Sequence, residues 1–521
     1  MIPLYTANQV KEADDFAIKS LNIPSIVLME NAARSIFSLL KETYLIHGKR
    51  IAVIVGKGNN GGDGLALARH LIINEIHVDI ILIEDEKLLS PDSKINYEIL
   101  KRLINYYPKC TISKYSNNSH KILRKADLII DAIFGTGISG QIREPYKSII
   151  DFVNQLNAIK IAIDIPSGLN ANTGFTETAF HADLTITLAG LKRGLFVNDG
   201  KFYSGVVKKG SIGIGDEYFN SLQVSDFLIE PEDIVSSIPK RNINDNKYST
   251  GKVLVIAGSK EFIGAAILSA NSAIRAGSGA VVVACPASLR SLFQKRLLEP
   301  TIFAYDDSGK GYLHKDSLAQ IMQKINWADS VVIGPGLGRE AETTEAVREL
   351  LKKIKNKKII IDADGIFALN KRYNDYNLKD VVLTPHHKEF ADLLGINLTE
   401  LKNDILYWGK NFSTSSKSYL VLKGSPTVIF TPTGDALVNS TGNPGMAKFG
   451  VGDVLAGMLA SFVSKSKNLE MSISAAVYIH SLSADLLNIK KHELTYTAKN
   501  IIENLTYAFK FISKSTLQKD Y

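Results

Sequence analysis

IAVIVGKGNNGGDGLALARHL, residues 51–71, is the stretch on which the fold turns. Its first five residues are all apolar, without the alternation of a strand that faces water on one side. Such a strand is buried on both faces, as in a mostly parallel sheet covered by helices. Gly56, Gly58, Gly61, Gly62 and Gly64 then punctuate the chain, and apolar residues at helical spacing follow. Apolar runs with similar punctuation recur at 78–84, 126–135, 160–168 and 183–190. They recur again at 252–258, 280–285, 330–334, 358–362, 381–384 and 419–423. The pattern predicts an α/β protein built as two three-layer domains.

At 521 residues the chain exceeds what one hydrophobic core usually fills, which also points to two domains. Residues 215–246 are polar and contain Pro231, Pro239 and RNINDN, the best linker candidate, which places the domains at 1–217 and 228–515. The glycine motifs of the halves differ, so unlike domains are joined rather than one duplicated. Hydrophobic residues at 45% and charged residues at 22% are the balance of a globular protein. No apolar run is long enough to span a membrane, and MIPLYTANQVKEADDFAIKS lacks the pattern of a secretory signal. Cys110 and Cys285 stand far apart without a pairing pattern, which suits a reducing cytoplasm. The net charge of +8 comes from dispersed lysines, with clusters such as 352–358 read as solvated faces. No basic block is interleaved with aromatics, so nucleic acid is not an expected partner.

In the first half, the glycine loop lets backbone N–H groups approach a phosphate, and the helix start adds a favourable dipole. The loop is neither GxGxxG nor a P-loop, and alone it would serve equally as a tight turn. Two further strand ends add chemistry. LIIDAIFGTGISGQ, 128–141, puts Asp131 at a strand terminus ahead of Gly135, Gly137 and Gly140. IAIDIPSGLNANTG, 161–174, puts Asp164 at another, ahead of Pro166, Ser167 and Gly168. Ligands of open parallel sheets sit outside the carboxyl ends of the strands, so Asn60, Asp63, Asp131 and Asp164 are expected to share a pocket. Carboxylates and hydroxyls there suit a hard cation or acid–base chemistry. A strand-end Asp that only caps the next turn is the plainer alternative for Asp164.

These motifs, with IPSIVLMENAAR at 23–34 and ADLTITLAGLKRGL at 182–195, resemble the NAD(P)H-hydrate epimerase family over about residues 5–215. The resemblance implies a Rossmann-like domain that interconverts the R and S forms of hydrated NADH and NADPH, with a potassium ion in the site. Asn59, Asn60, Gly61, Gly62 and Asp63, together with Gly135, Thr136, Gly137, Ile138, Ser139, Gly140 and Gln141, would hold the dinucleotide phosphates and ribose. Asn60, Asp131 and Ser167 would coordinate potassium along with backbone oxygens, and Asp164 would bind the hydrated nicotinamide and serve in acid–base catalysis.

In the second half, NPGMAKFGVGDVLAGMLASFVSK, 443–465, is the strongest chemical signal. Gly450 and Gly452 precede Asp453, and Val454, Leu455, Met458, Leu459 and Phe462 form an apolar helical stripe. Asp453 is thereby expected at a helix N-terminus, among N–H groups that can bind a phosphate while the carboxylate takes a proton from a hydroxyl. Simple capping is the alternative, and two crowded glycines favour the anion site. Other strand ends supply Gly334, Gly336 and Gly338, then Asp362 and Asp364. His386, His387 and Glu389 follow, then Lys423, Gly424 and Thr427.

GPGLG, DADG, TPH..EF, KG..T and NPGMA..G.GDVLAG in this order resemble the NAD(P)H-hydrate dehydratase family, of ribokinase-like fold, over about residues 230–510. The resemblance implies attack of the ring hydroxyl on a phosphoryl donor and then phosphate elimination. Asp453 would activate the hydroxyl, and 450–452 would cradle the transferred phosphate. Lys423, Gly424, Ser425, Pro426, Thr427 and Gly452 would bind the adenine nucleotide. Ala265, Gly336 and His386 would contact the substrate, with Gly264 and Gly338 lining the cleft. The chain departs from the family pattern at His387, at Pro426, which removes a backbone donor, and at Val451, where Thr is common.

The implied ligands are NADHX, NADPHX and ADP, with magnesium to neutralise the diphosphate and with no membrane partner; a homo-oligomer is expected. The alternative is a ribokinase-like vitamin kinase with a non-catalytic scaffold in front. Asn60, Asp131, Asp164 and Ser167 together argue against it, since buried polar groups without a role cost free energy.

Overall fold

The structure, a computed structural model, describes residues 1–137 and 141–517. The chain divides into two compact units, Pro3–Asp226 and a second one that starts at Phe227 and takes in Met1–Ile2. Residues 215–246 are not a bare linker: they carry helices Glu217–Asn220 and Pro231–Ile234 and strand Asp226–Ile229.

The first unit holds strands β1 (Arg50–Val55), β2 (His77–Leu82), β3 (Thr111–Lys114), β4 (Leu128–Ala132), β5 (Ile159–Ile163), β6 (Leu184–Leu188) and β7 (Val206–Gly210). They lie in the order β3-β2-β1-β4-β5-β6-β7, and every pairing is parallel. The order reverses direction beside β1 and β4, the switch point where open sheets of this Rossmann-like kind bind ligands. Separate clusters of buried apolar residues cover the sheet, one including Ile51, Val53 and Val55 and another including Ala52 and Ile54. Alternate residues of one strand thus enter different cores, the physical reason that β1 is apolar throughout.

The second unit holds β8 (Lys252–Ile256), β9 (Ala280–Pro286), β10 (Thr301–Tyr305), β11 (Ser330–Ile333), β12 (Lys358–Ile361), β13 (Val382–Leu383), β14 (Tyr419–Leu422), β15 (Val428–Phe430) and β16 (Ala436–Asn439). Their order is β16-β15-β14-β13-β12-β11-β8-β9-β10. Pairings from β10 to β14 are parallel, whereas β14, β15 and β16 form an antiparallel meander. Helices Ile263–Arg275, Val451–Ser464 and Leu469–Asn488 contribute to one large apolar core. Helix Val451–Ser464 packs very close to Ile263–Arg275, because a Cβ built on Gly457 would lie 2.0 Å from the Ser269 carbonyl oxygen. The Ser269 hydroxyl also donates to the Asp453 carbonyl at 3.0 Å, fixing the height of that helix.

The strands predicted from apolar runs are present, most of them shorter at the ligand-type end, while β9 runs one residue further, to Pro286. Edge strands β3, β7 and β10 and the meander strands β15 and β16 were not among them: TISK and VVKKG carry no continuous apolar run, TIFAY is mostly half-buried, and VIF and ALVN are short. Both cysteines are buried and free. Among the described residues, no helix is long and apolar enough to cross a membrane.

Candidate active sites

At the switch point of the first unit, Asp131 lies within β4 and is fully buried. One carboxylate oxygen accepts the Ser167 hydroxyl at 2.7 Å and the Ile133 N–H at 3.0 Å; the other accepts the Ser167 N–H at 2.8 Å. Burial lifts the Asp131 carboxyl to about 6, against the opposing pull of these donors. The Ser167 hydroxyl also accepts the Phe134 N–H at 2.9 Å. Asn60 donates to the Phe134 carbonyl at 2.9 Å, while its own Oδ1 is buried without a partner. An orphaned acceptor beside one carboxylate and backbone carbonyls is an oxygen donor set that fits a large monovalent cation.

Asp164 follows β5 directly and has φ of +68°, a conformation costly for a residue with a Cβ. Its N–H bonds the Ile186 carbonyl at 2.8 Å, which pins the backbone there. Oδ1 accepts the Leu188 N–H at 3.1 Å and the ammonium of Lys192. Lys192 is 1% exposed and also donates to the Thr187 hydroxyl at 3.1 Å and the Leu188 carbonyl at 2.7 Å. Asp164 is therefore held by a buried cation and does not merely cap a turn. Sequence reasoning missed Lys192; its only signal is its place in LAGLKRGL, four residues beyond a strand.

A cavity of about 690 Å³ joins these groups, lined by Asn59, Asn60, Asp63, Gly135, Thr136, Gly137, Asp164 and Lys192, with Asp14 from helix Ala7–Lys19. Asp131 and Ser167 are buried and do not line it. Three groups of expected contact residues lie apart from this cavity or outside the described residues. Gly61 and Gly62 also do not line the cavity, since their Cβ positions are filled by protein: the Gly56 carbonyl oxygen at 2.0 Å from the first, Met29 Cε and Ser93 Oγ at 2.5 Å from the second. Gln141 turns elsewhere, donating to Glu177 at 2.9 and 3.0 Å and lining a separate cleft of about 210 Å³. Ile138, Ser139 and Gly140 lie outside the described residues. Gly61→Ala is accordingly expected to cost more than about 2 kcal/mol, since backbone must move, whereas Gly58, with open space at its Cβ, tolerates Ala. Thermal melting of the two variants compares them directly.

In the second unit, Gly450 has φ of +89° and caps helix Val451–Ser464, which puts Asp453 in its first turn. A Cβ on Gly450 would meet Leu268 Cδ1 at 2.5 Å. Lys423 follows β14 and donates to Asp362 at 2.8 Å, and Asp362 also accepts the Thr384 hydroxyl at 2.8 Å. Lys423 Nζ lies 3.2 Å from the Cβ position of Gly452, so ammonium, glycine turn and helix start share one place. Burial lifts the Asp453 carboxyl to about 6; the charges of Asp362 and Asp364 add to the rise, and Lys423 opposes it. The Lys423 ammonium is raised on balance: burial pulls it down, and the carboxylates of Asp362, Glu389 and Asp453 outweigh that.

His386 pairs through its backbone with Lys423, and Lys423 N–H bonds the Pro385 carbonyl at 2.8 Å. Its ring is about half exposed and caps helix His387–Leu394, accepting the Glu389 N–H at Nδ1. Capping and a place beside Lys423 therefore coexist. Gly336 has φ of +62°, and its Cβ position is 3.0 Å from Ala265 Cβ, so these two predicted contacts are neighbours. Thr427 donates to the Gly424 carbonyl at 3.3 Å; the Ser425–Pro426 peptide is cis. His387 packs over Gly424, 2.8 Å from its Cβ position, so the unusual histidine braces the lysine loop. Among the described residues no three acidic, histidine or cysteine side chains are grouped to hold a metal ion.

Sequence reasoning also missed the support from helix Leu469–Asn488. His480 is buried and hydrogen-bonded to the backbone of Val451, and burial pushes its ring down to about 4. Asp485 accepts the Gly442 N–H at 2.8 Å and the Asn443 amide at 2.9 Å. Together they hold both ends of the loop that delivers Asp453.

The two units define a two-site α/β enzyme, with one carboxylate–ammonium centre at the strand ends of each. A family model described as YjeF-related protein N-terminus matches residues 25–194, and one described as NAD(P)H-hydrate dehydratase matches residues 253–507. The bifunctional NAD(P)H-hydrate repair enzyme of Dictyoglomus turgidum is 34% identical over 514 residues, covering 97% of this chain and 98% of its own. That of Moorella thermoacetica is 31% identical over 512 residues, covering 97% and 96%. Among solved structures, an ADP/ATP-dependent NAD(P)H-hydrate dehydratase from Bacillus subtilis, co-crystallised with ATP and magnesium, is 28% identical. It covers 55% of this chain and 98% of its own, with a TM-score of 0.48. The chain belongs to the family of bifunctional NAD(P)H-hydrate repair enzymes. It joins an epimerase domain to a dehydratase domain, and the vitamin-kinase alternative is set aside.

Proposed function

We propose that the unit from Phe227 onward dehydrates the S hydrate with ADP as phosphoryl donor, and that Asp453 is its base. The observation that carries the reading is Asp453 in the first turn of a glycine-capped helix, beside the Lys423–Asp362 pair. In the proposed reaction the ring hydroxyl loses its proton to Asp453, and its oxygen attacks the terminal phosphorus of ADP, releasing AMP. The ring phosphate then leaves with its C–O electron pair as the neighbouring ring carbon loses a proton, which restores the ring double bond. N–H groups at 450–452 and the Lys423 ammonium stabilise charge on the transferred phosphoryl group. Lys423, Gly424, Ser425, Pro426, Thr427 and Gly452 bind the nucleotide, and Ala265, Gly336 and His386 contact the hydrate. Magnesium, when bound, neutralises the diphosphate.

In the Pro3–Asp226 unit, the cavity beside Asp164 takes both epimers. Gly135 to Gly137 and the helix start at Asn59 and Asn60 receive the dinucleotide, and Asp164 carries out proton transfer. Asn60 Oδ1, Asp131 and Ser167 would hold potassium, which supplies a fixed positive charge when bound. The orphaned Oδ1 of Asn60 supports this assignment.

Racemic hydrated NADH, offered with ADP and ATP in parallel, tests the donor: faster recovery of NADH absorbance with ADP is expected, and recovery with ATP alone contradicts it. The pH profile tests the base. Asp453 must be ionised to act, and its carboxyl titrates at about 6. Dehydration is therefore expected to fall as pH drops through about 6 and to level off above it, read from kcat on the S hydrate.

A further inference from the structure

Three acidic side chains, Asp14, Asp63 and Asp164, line the cavity of the first unit, with Asp92 farther along it. The only buried ammonium among its described lining residues is Lys192. That ammonium is already committed to Asp164, Thr187 and Leu188. Lys11 and Lys57 also line the cavity, but both are exposed to solvent. The Asp63 carboxyl has no hydrogen-bond or ion-pair partner among the described residues. Asp14 has none either, but it is exposed to solvent; carboxylates crowded around one neutralising side chain repel one another, so the proton stays with the less exposed Asp63.

We propose that Asp63 is the proton donor of the epimerase, acting across the cavity from Asp164, which Lys192 holds as the acceptor. This rests on the cavity being the epimerase site. Burial, then the charges of Asp164 and Asp14, raise the Asp63 carboxyl well above the usual carboxylate range, with Lys192 opposing. Asp63 therefore carries a proton to give. An ionised Asp63 would repel a dinucleotide diphosphate, whereas a protonated one can approach it.

The hydrate bears its hydroxyl on a ring carbon beside the ring nitrogen. Asp63 gives its proton to that oxygen as the C–O bond breaks and one water leaves. The nitrogen lone pair fills the vacancy, and the ring carbon becomes planar in an iminium cation. A solvent water then adds to the opposite face, forming the new C–O bond, and Asp164 takes its proton through Oδ2, the oxygen not engaged by Lys192 and Leu188. One water leaves and one enters, so no other reactant is needed. Asp63 ends ionised and Asp164 protonated, and the reverse epimerisation starts from that swapped state.

Asp63→Asn in the full chain tests this, with pure R hydrate followed by chromatography in water enriched in oxygen-18. Wild type is expected to place one solvent oxygen in each S molecule formed. Asp63→Asn is expected to lower the epimerisation kcat at least about 100-fold, with KM within about threefold, while Asp63→Glu restores part of it. Wild-type kcat is expected to fall at high pH as the donor deprotonates, and Asp63→Asn to lack that fall. Unchanged dehydration of the S hydrate by the same variant reports that the chain is folded. A raised KM with kcat preserved would make Asp63 a binding contact and overturn the proposal. So would S hydrate formed by wild type without solvent oxygen, a result independent of how any variant folds. If Asp164→Ala abolishes epimerisation and Asp63→Asn does not, only the donor assignment fails. If neither does, the reading of the cavity fails with it.

Discussion

Asp453→Asn is expected to stop NADH recovery from the S hydrate, with kcat lower by roughly 10³-fold, and to leave R-to-S conversion at the wild-type rate. The amide keeps the shape of the first turn but has no basic oxygen to take the hydroxyl proton. The loop around it survives, because its anchors lie elsewhere: Ser269 holds the backbone carbonyl at 453, and Asp485 holds Gly442 and Asn443. Stability should rise slightly if it changes. Burial raises the Asp453 carboxyl above its unfolded value, so its ionised form at neutral pH disfavours the fold, and the neutral amide lacks that cost. Stopped-flow absorbance of the S hydrate with ADP measures the loss, and an unchanged melting temperature or a small gain excludes collapse of the site.

Asp164→Ala is expected to do the opposite, abolishing epimerisation by about 100-fold or more while the S hydrate is dehydrated normally. Here a stability cost accompanies the catalytic one. Removing the carboxylate leaves the Lys192 ammonium, 1% exposed, with only the Thr187 hydroxyl and the Leu188 carbonyl. Breaking one partner of a buried ion pair costs several kcal/mol, about 3–5 in typical cases. None of that returns from the backbone, since Ala keeps a Cβ at φ of +68° and tolerates the left-handed region less well than Asp. Asp164→Asn retains the hydrogen bond and separates the two effects: epimerisation is lost with a smaller fall in melting temperature. Racemic hydrate then shows the functional result directly, since the variant recovers NADH from the S half alone.

The central strands and the residues at their ends were legible because burial on both faces leaves an unbroken apolar run, and a ligand-facing group must interrupt it. Asp164 and Lys423 stood out in this way, Asp131 as a charge within such a run, and Asp453 by the glycines before an apolar helix. Edge strands β3 and β7 were not legible, since a water-facing side breaks the run, and the buried β15 and β16 are too short to stand out. Lys192, His480 and Asp485 were equally hidden. Each reaches the site from an element whose own pattern is satisfied by ordinary packing, and only the fold brings it beside its partner. The glycines were read for phosphate approach, and at Gly61 and Gly62 close packing demands glycine as well. Glycine in a βα turn has both causes, and sequence does not separate them. Gln141 shows the same limit, since a polar side chain in a ligand-type motif was free to bond Glu177.

Two independent centres, one per unit, share the chain. Pure R hydrate with ADP, given to a mixture of Asp453→Asn and Asp164→Ala proteins, shows whether the two act separately. Neither variant alone should regenerate NADH beyond the rate of uncatalysed epimerisation, and the mixture should restore it, because each supplies the step the other lacks. A mixture of folded variants no better than either one alone would contradict the claim.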